Sequence, residues 1–272
     1  MTAMFVNKLN MGIVNRAINN VRLICSAHGL DLHPEKEEPS LHGKMQRTAL
    51  YPSHIPTTLI QKILLTLGSS VVSISDPYRH DMVAVLGETT GYLSAKKIRD
   101  IMLQDVEGSA ILSDRPRISS ETIDFQYLKS LPAGTFGHAY MKFLNDNKVT
   151  PDTRQPVHFV DDVDLAYIIQ RYREVHDFVH TLLCMPTNIL GEVAVKWVEA
   201  IQTGLPMCAA GALFGPLQLR PKQRKLYVET YLPWALECGH KAKFLMNVYF
   251  EKRWEQNITT LRTELNIPEP PL

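Results

Sequence analysis

The sequence feature that most constrains the fold is a long central stretch in which apolar residues recur at helical spacing. It reads DDVDLAYIIQRYREVHDFVHTLL over residues 161–183. Asp161 or Asp162 can cap its start, so the pattern predicts one helix over residues 163–183. One face of this helix carries the apolar residues Leu165, Ile168, Ile169, Tyr172, Val175, Val179 and Leu183. Such a face predicts a helix that packs against the core of the domain.

The same helical spacing recurs along most of the chain and predicts further helices. These cover residues 55–67, where Gly68 should end the helix, and residues 95–108, 123–131, 136–145, 224–238 and 244–265. Strand-like alternation is confined to residues 70–75. The fold class predicted here is therefore all-α: a single-domain helical bundle preceded by a targeting segment and a polar linker.

Composition excludes several classes of protein. With 45% hydrophobic and 21% charged residues, most of the chain lies in the globular range. The formal net charge of +1 provides no broad basic surface, so we expect no nucleic acid partner. The four cysteines form no C-x-x-C pair, which favours a reducing compartment over a disulfide framework. The most apolar stretch, residues 205–219, is too short to span a membrane.

The N-terminal residues differ from the rest in charge. Residues 1–30 contain no acidic residue, while Lys8, Arg16 and Arg22 are spread among apolar positions. This pattern predicts a mitochondrial transit peptide over residues 1–30; the alternative is an N-terminal helix of the folded domain. Residues 31–49 are rich in charge and proline and predict a polar linker. A helical domain is then predicted over residues 50–272, and the residues described next predict that it is a metal-binding catalytic domain.

The candidate functional residues lie near the end of the central helix. His176 and His180 are four residues apart, which places two imidazoles one above the other on one face. Ten histidines in 272 residues predict about 0.36 such pairs by chance, and requiring an acidic neighbour lowers this to about 0.04. Asp177 follows His176, and Glu192 follows His180 after eleven residues. Two imidazoles and two carboxylates suit a divalent metal ion.

Helix geometry limits what each residue can do. Successive side chains diverge by about 100°, so Asp177 should bind at the rim of a site centred on His176 or act from outside it. Pro186 should end the helix, and Thr187 or Asn188 can cap the next one, which turns Glu192 back toward the histidines. Two core histidines bonded to the backbone are the alternative interpretation. Cys184 is a conceivable further ligand, although buried cysteines usually only pack.

Three segments carry a resemblance to a known family. They read DPYRHDMVAVLGETTG over residues 76–91, HDFVHTLLCMPTNILGEVAVKWVEAIQTGLPM over residues 176–207 and NVYFEKRWEQ over residues 247–256. The chain resembles the mitochondrial ubiquinone (coenzyme Q) biosynthesis proteins of the Coq-four family from about residue 50 to its end. The resemblance implies that His176, Asp177, His180 and Glu192 bind a divalent metal ion, zinc in the family's usual description.

The resemblance also implies an activity. It indicates a metal-dependent lyase that removes the C1 carboxyl group of a 4-hydroxy-3-methoxy-5-polyprenylbenzoate, linked to hydroxylation of that carbon. A carboxylate substrate can take an open position on the ion, and Asp177 or Glu192 is a candidate to deliver the proton to C1. The alternative function is a non-catalytic scaffold that binds prenyl lipid and organises the coenzyme Q biosynthetic complex.

Location and partners follow from the same resemblance. It implies a peripheral protein on the matrix side of the inner mitochondrial membrane, in a multi-subunit complex with other coenzyme Q biosynthesis proteins. An apolar stretch over residues 205–217 precedes the basic residues Arg220, Lys222, Arg224 and Lys225. This combination suits anionic inner-membrane lipid, while a buried helix followed by a solvated basic loop explains it equally well. We interpret residues 76–91 as a turn near the site, with Arg79 as a candidate carboxylate partner.

Overall fold

The computed structural model describes residues 48–76 and 79–271 of the chain. The predicted transit peptide, residues 1–30, and all of the predicted linker except its last two residues lie outside the described part. Helices and turns make up that described part, which contains a single isolated β-bridge between Thr135 and Asn257 and no strand. The prediction of an all-α fold is therefore confirmed.

Most of the connections between the α-helices are short. They are α1 (Leu59–Ser75), α2 (His80–Thr90), α3 (Tyr92–Leu103), α4 (Val106–Asp114), α5 (Phe125–Ser130), α6 (Phe136–Asn147), α7 (Val163–Leu183), α8 (Ile189–Thr203), α9 (Pro206–Phe214), α10 (Pro221–Leu226), α11 (Leu232–Lys241) and α12 (Ile258–Glu264). A π-helical turn (Tyr227–Tyr231) joins α10 to α11, and short 3₁₀ turns precede α7, follow α9 and occupy the segment before α12.

Helix α7 is the central element of the fold, and its bounds agree with the prediction. Every residue from Leu165 to Leu183 is buried. Helices α3, α6 and α8 all pack against α7. A helix that is covered on all sides cannot keep its polar side chains in water, so each of them needs a partner inside the protein.

Most of those polar side chains belong to ion pairs. The guanidinium of Arg171 is fully buried and binds both carboxylate oxygens of Glu251. Arg173 donates to the Glu88 carboxylate at 2.7 Å, and Glu174 accepts from Arg117 at 2.7 Å. Burying a charge is tolerated only with such partners, so these pairs fix α7 against the helices and loops around it.

An aromatic cluster packs beside the part of α7 that carries His176 and His180. The Phe178 ring lies 4.6 Å from that of Tyr140 and 5.2 Å from that of Phe250, measured between ring centroids. Phe136 and Trp254 complete the cluster. These rings surround Phe178, which lies between Asp177 and Val179 in the sequence. Their packing therefore fixes the rotation of α7 about its own axis, and with it the directions in which His176 and His180 point.

The connection from α7 to α8 is tight and depends on specific residues. Cys184 ends α7 with a left-handed backbone conformation (φ 54°), and Asn188 caps α8 through its side chain. A Cβ atom at Gly191 would lie 2.0 Å from the carbonyl oxygen of Pro186, so only glycine allows the first turn of α8 to approach this closely. The turn brings Glu192 back alongside the end of α7, as expected from the sequence.

Several segments differ from the sequence-based expectation. The single helix predicted over residues 95–108 is divided into α3 and α4, because Asp105 caps a new helix, and the helix predicted over residues 224–238 is interrupted by the π-helical turn. Helix α1 continues through Gly68 to Ser75, so the expected end at Gly68 is wrong. An isolated glycine weakens a helix but does not end it where tertiary packing stabilises the helix, and α1 packs against α2. Residues 80–90 form helix α2 rather than a turn. The predicted helix over residues 244–265 is short 3₁₀ turns followed by α12, which Asn257 caps.

Two surfaces of the described part expose large apolar side chains. On α1 they are Leu59, Ile60, Ile63, Leu64, Leu67 and Val71, with exposures between 38% and 73%. At the end of α9, Leu213, Phe214 and Leu217 are 59%, 44% and 69% exposed. Among the described helices, none combines the length and the apolar character needed to cross a lipid bilayer.

Candidate metal centre

The two histidines of the H-D-x-x-H motif lie on one face of α7 and inside the protein. His176 is 6% exposed and His180 is 1% exposed. Their ring centroids are 4.7 Å apart and the ring planes are perpendicular. The Phe143 ring stacks on His180 at 5.8 Å and closes one side of the site.

The Glu192 carboxylate faces both imidazoles from the first turn of α8. Its Oε2 lies 3.6 Å from Nε2 of His176, and its Oε1 lies 3.3 Å from Nε2 of His180. One donor atom from each of the three residues lies within 4.8 Å of the other two. Ligand atoms around a tetrahedral zinc ion at its usual bond lengths are roughly 3.4 Å apart, so these separations fit a shared cation.

Hydrogen bonding at the opposite side of the His180 ring decides which nitrogen carries its proton. Nδ1 of His180 lies 3.0 Å from the backbone carbonyl oxygen of Met185, which can only accept. In neutral His180, Nε2 therefore presents a lone pair, and this buried atom makes no hydrogen bond. A lone pair facing the oxygens of Glu192 is unfavourable unless a cation lies between them. The unpartnered nitrogen is the feature that a divalent metal ion fits.

His176 is held by a different group. Its Nδ1 lies 2.6 Å from Oε1 of Glu199, a buried carboxylate on α8. Burial alone would raise the pKa of Glu199, but the charges of His176 and Lys196 outweigh it and hold that pKa well below its usual range. Burial likewise disfavours the imidazolium of His176, yet Glu199 outweighs it and the pKa of His176 is raised.

The charge state of Glu192 follows from the imidazoles that it faces. Its side chain is 35% exposed, and it is the most exposed of the three residues. Burial raises the pKa of Glu192, but in the metal-free protein His176 and His180 lower it by more when they carry a proton on Nε2, so the pKa of Glu192 lies well below its ordinary value. Glu192 is thus ionised at neutral pH and able to bind a cation from the solvent side.

Of the four predicted metal ligands, Asp177 is the one that lies outside the group of gathered donor atoms. Its carboxylate is 3% exposed and forms an ion pair with Arg154, whose side chain is 30% exposed. It is not among the three gathered donors. A role for Asp177 as a ligand stays a prediction, in keeping with the divergence of neighbouring helical side chains.

Other candidate residues have structural partners. The Cys184 thiol lies 2.8 Å from the guanidinium of Arg262 and outside the gathered group. Arg79 binds Asp81, its neighbour on α2. Asp162 caps α7 by accepting from the backbone N–H groups of residues 164 and 165, as predicted for this aspartate-rich start.

Sequence analysis missed Lys196 and Glu199. Lys196 donates to Glu199 Oε2 at 2.7 Å and to the Tyr172 hydroxyl at 2.9 Å. Glu192, Lys196 and Glu199 are spaced four and three residues apart on α8, which places them on one helical face. This spacing was a usable signal once Glu192 had been assigned to the site.

The charges of the side chains around the site suit a divalent cation together with one anionic ligand. Three carboxylates, those of Asp177, Glu192 and Glu199, lie with two cationic side chains, Arg154 and Lys196. With both imidazoles neutral, as metal ligands must be, their sum is one negative charge. A divalent cation would leave one positive charge, which one anionic ligand can neutralise. The donor set of two nitrogens and a carboxylate accepts zinc, iron, manganese or cobalt.

Comparison with known proteins shows which family this chain is similar to. The family model described as "Coenzyme Q (ubiquinone) biosynthesis protein Coq4" matches residues 51–271. A relative from Bos taurus is 59% identical over 223 residues, covering 82% of this chain and 84% of its own. A relative from Homo sapiens is 52% identical over 252 residues, covering 93% and 95%. Both are named ubiquinone biosynthesis protein COQ4 homolog, mitochondrial.

A solved structure shares the fold. It is the crystal structure of a protein from Nostoc punctiforme PCC 73102, provisionally described as a ubiquinone biosynthesis protein. The TM-score is 0.60 at 19% sequence identity, over 78% of this chain and 99% of that one. At this identity the likeness concerns the arrangement of helices alone.

Proposed function

Because this chain belongs to the Coq4 family of coenzyme Q (ubiquinone) biosynthesis proteins, we propose that it is the metal-dependent carboxy-lyase of that pathway. Its general role lies in ubiquinone biosynthesis. The reaction proposed is removal of the C1 carboxyl group from a 4-hydroxy-3-methoxy-5-polyprenylbenzoate, linked to hydroxylation at C1.

The observation that carries the proposal is the pair of Nε2 atoms facing Glu192. His180 Nε2 is buried and without a hydrogen bond, and both nitrogens lie 3.3–3.6 Å from carboxylate oxygens. We propose His176, His180 and Glu192 as the metal ligands, with Asp177 as a fourth only if it leaves Arg154. When bound, the metal ion would supply Lewis-acid stabilisation of the charge that moves as carbon dioxide leaves.

A carboxylate substrate suits the charge of the site. With a divalent cation bound, the five charged side chains around it leave a net charge of +1, and the substrate carboxylate would neutralise it. Of the two cationic side chains at the site, Arg154 is the better suited to bind a carboxylate, because a guanidinium can donate to two oxygens at once. Its Nε is buried and makes no hydrogen bond, which leaves a donor for such a ligand.

The proton required at C1 can come from water and be passed on by a carboxylate of the site, which is itself ionised at rest. Loss of carbon dioxide leaves an electron pair on C1, which takes up a proton when no hydroxyl group is added. Glu192 is the more accessible candidate, since its side chain is 35% exposed while that of Asp177 is 3% exposed and bound to Arg154.

The proposal is tested with purified protein loaded with a divalent metal ion. The prenylated acid carries ¹³C in its carboxyl group, and labelled carbon dioxide is measured together with the C1 product, which bears hydrogen or hydroxyl. We expect His180→Ala to reduce release to the level of metal-free protein. His240→Ala is the matched control, because His240 is exposed on α11 and bonds only to the carbonyl of Leu236. Unchanged release by His180→Ala would remove the metal ion from the chemistry.

A non-catalytic scaffold is the second candidate function. The exposed apolar faces of α1 and the α9 end favour it, because such surfaces on a folded protein commonly mark interaction sites. A scaffold predicts that His180→Ala, if it folds, still restores ubiquinone synthesis in cells that lack the protein. The lyase proposal predicts that it does not.

We also propose a peripheral place on the matrix side of the inner mitochondrial membrane, with other coenzyme Q biosynthesis proteins as partners. The support is the mitochondrial naming of the relatives and the apolar residues Leu213, Phe214 and Leu217 beside the exposed Arg220 and Lys222. Apolar surface next to basic residues favours anionic lipid. Sedimentation with vesicles containing cardiolipin should exceed that with neutral vesicles and fall in Leu217→Ser; equal sedimentation would contradict the lipid proposal.

A further inference from the structure

The Nδ1 atoms of the two histidines of the proposed metal site bond to groups of different chemistry. Nδ1 of His180 bonds to a backbone carbonyl, that of Met185, at 3.0 Å. Nδ1 of His176 bonds to a carboxylate, that of Glu199, at 2.6 Å. The partner of His180 is a neutral backbone carbonyl, which a side-chain substitution does not remove. The partner of His176 is a charged side chain, which a substitution can remove.

Glu199 is itself held as an ionised acceptor. Its Oε2 accepts from the Tyr172 hydroxyl at 2.6 Å and from the Lys196 ammonium at 2.7 Å, and its side chain is 5% exposed. With both of these donors on Oε2, the carboxylate is held in its ionised form and has no proton of its own to give. The proton between Glu199 and His176 therefore belongs to Nδ1 of the imidazole. Lys196 lies 3.4 Å from the same nitrogen, which is farther than Glu199.

We propose that Glu199 is a positioning residue that fixes the tautomer and the orientation of His176, so that Nε2 of His176 presents its lone pair to the divalent cation. Tyr172 and Lys196 keep Glu199 in place. The inference rests on the proposed metal site. A carboxylate behind a metal-bound imidazole also makes the imidazole a stronger ligand, and losing such a partner typically weakens metal affinity 10–100-fold.

A purely structural role for Glu199 makes a different prediction. Lys196 and Glu199 are three residues apart on α8 and would form an ion pair without His176. In that case removal of the carboxylate would lower stability and leave metal binding unchanged in the folded protein. Metal affinity therefore distinguishes the two roles, and activity is not needed.

The test compares Glu199→Gln with Glu174→Gln in the full-length protein. Glu174 is the matched control because it is also a buried carboxylate, lies on the same helix as His176, and binds Arg117 and Gln170 instead of a histidine. Zn²⁺ and Co²⁺ affinities are measured by competition with a chelator. We expect Glu199→Gln to weaken both about 10–100-fold and Glu174→Gln to change them by less than about twofold.

A second measurement keeps the inference testable if Glu199→Gln does not fold. In zinc-loaded wild-type protein, ¹⁵N NMR of the His176 ring should find hydrogen on Nδ1 and metal on Nε2. Hydrogen on Nε2, or wild-type affinity in Glu199→Gln, would overturn the inference while the metal site stands. Failure of the wild-type protein to bind either ion would instead overturn the proposed metal site.

Discussion

At the scale of single residues, the ion pair of Arg154 and Asp177 decides what Asp177 can do. A carboxylate that is 3% exposed needs a partner, and the guanidinium supplies it. This ion pair explains why His176 and Asp177 have different surroundings, although they are adjacent residues of one sequence motif. His176 faces α8, and Asp177 faces the loop that carries Arg154.

Arg154→Met should destabilise the protein by about 1–3 kcal/mol, because it leaves the Asp177 carboxylate buried and without its guanidinium partner. The expected loss is smaller than for a fully buried pair, since the Arg154 side chain is 30% exposed. The free energy of unfolding in urea measures it. Adding Asp177→Asn should restore part of the loss, and an Arg154→Met protein as stable as wild type would show that the pair contributes little.

At the scale of elements, the start of α8 matters more for the site than its length does. The Asn188 side chain accepts from the backbone N–H of Gly191 at 3.1 Å, and the Asn188 carbonyl accepts from the N–H of Glu192 at 2.9 Å. The cap thus holds the turn that carries Glu192, the proposed carboxylate ligand. Asp162 performs the same task at the far end of α7, away from the histidines.

Asn188→Ala and Asp162→Ala should each cost about 1 kcal/mol of stability through loss of an N-cap. Only Asn188→Ala should also weaken zinc binding, because fraying of the first turn of α8 moves Glu192. Chelator competition and urea unfolding of both variants test this. Equal zinc affinity in the two variants would mean that the cap does not position Glu192.

Gly191→Ala tests the close approach of α8 to the α7–α8 turn. Its new Cβ would lie 2.0 Å from the Pro186 carbonyl oxygen, so the backbone must shift at the residue next to Glu192. We expect a loss of about 1–3 kcal/mol and weaker zinc binding. Gly239→Ala is the control, because its Cβ would meet only the Ile201 side chain. Wild-type zinc affinity in Gly191→Ala would contradict the tight positioning.

At the scale of the whole molecule, a shared cation would join α7 to α8 and stabilise the folded state. An ion at 100 times its dissociation constant adds about 2.7 kcal/mol, which raises the Tm of a domain of this size by about 5–10 °C. Thermal unfolding with zinc and with a chelator measures the shift. The shift should vanish in His180→Ala and persist in His240→Ala; equal shifts in both would place the ion elsewhere.

The sequence by itself determined the central helix and the motif on it. Both bounds of α7 follow from its apolar spacing and from the Asp162 cap, since these signals are local. The inward direction of His176 and His180 follows from the same spacing. Local signals failed where a helix interior contains glycine, as at Gly68, and where residues 244–257 adopt short turns set by contacts with distant parts of the chain, such as Glu107 with the backbone of Tyr249.

The tertiary structure alone decided which groups meet at the site. It placed Arg154 on Asp177, and it placed Glu199 on His176, although the partners in each pair are more than twenty residues apart. Helical spacing fixes the directions of side chains on one helix, but the rotation and distance between two helices come from packing of the whole core. For that reason the sequence could indicate the proposed ligands, and only the fold could show which groups bind their far sides.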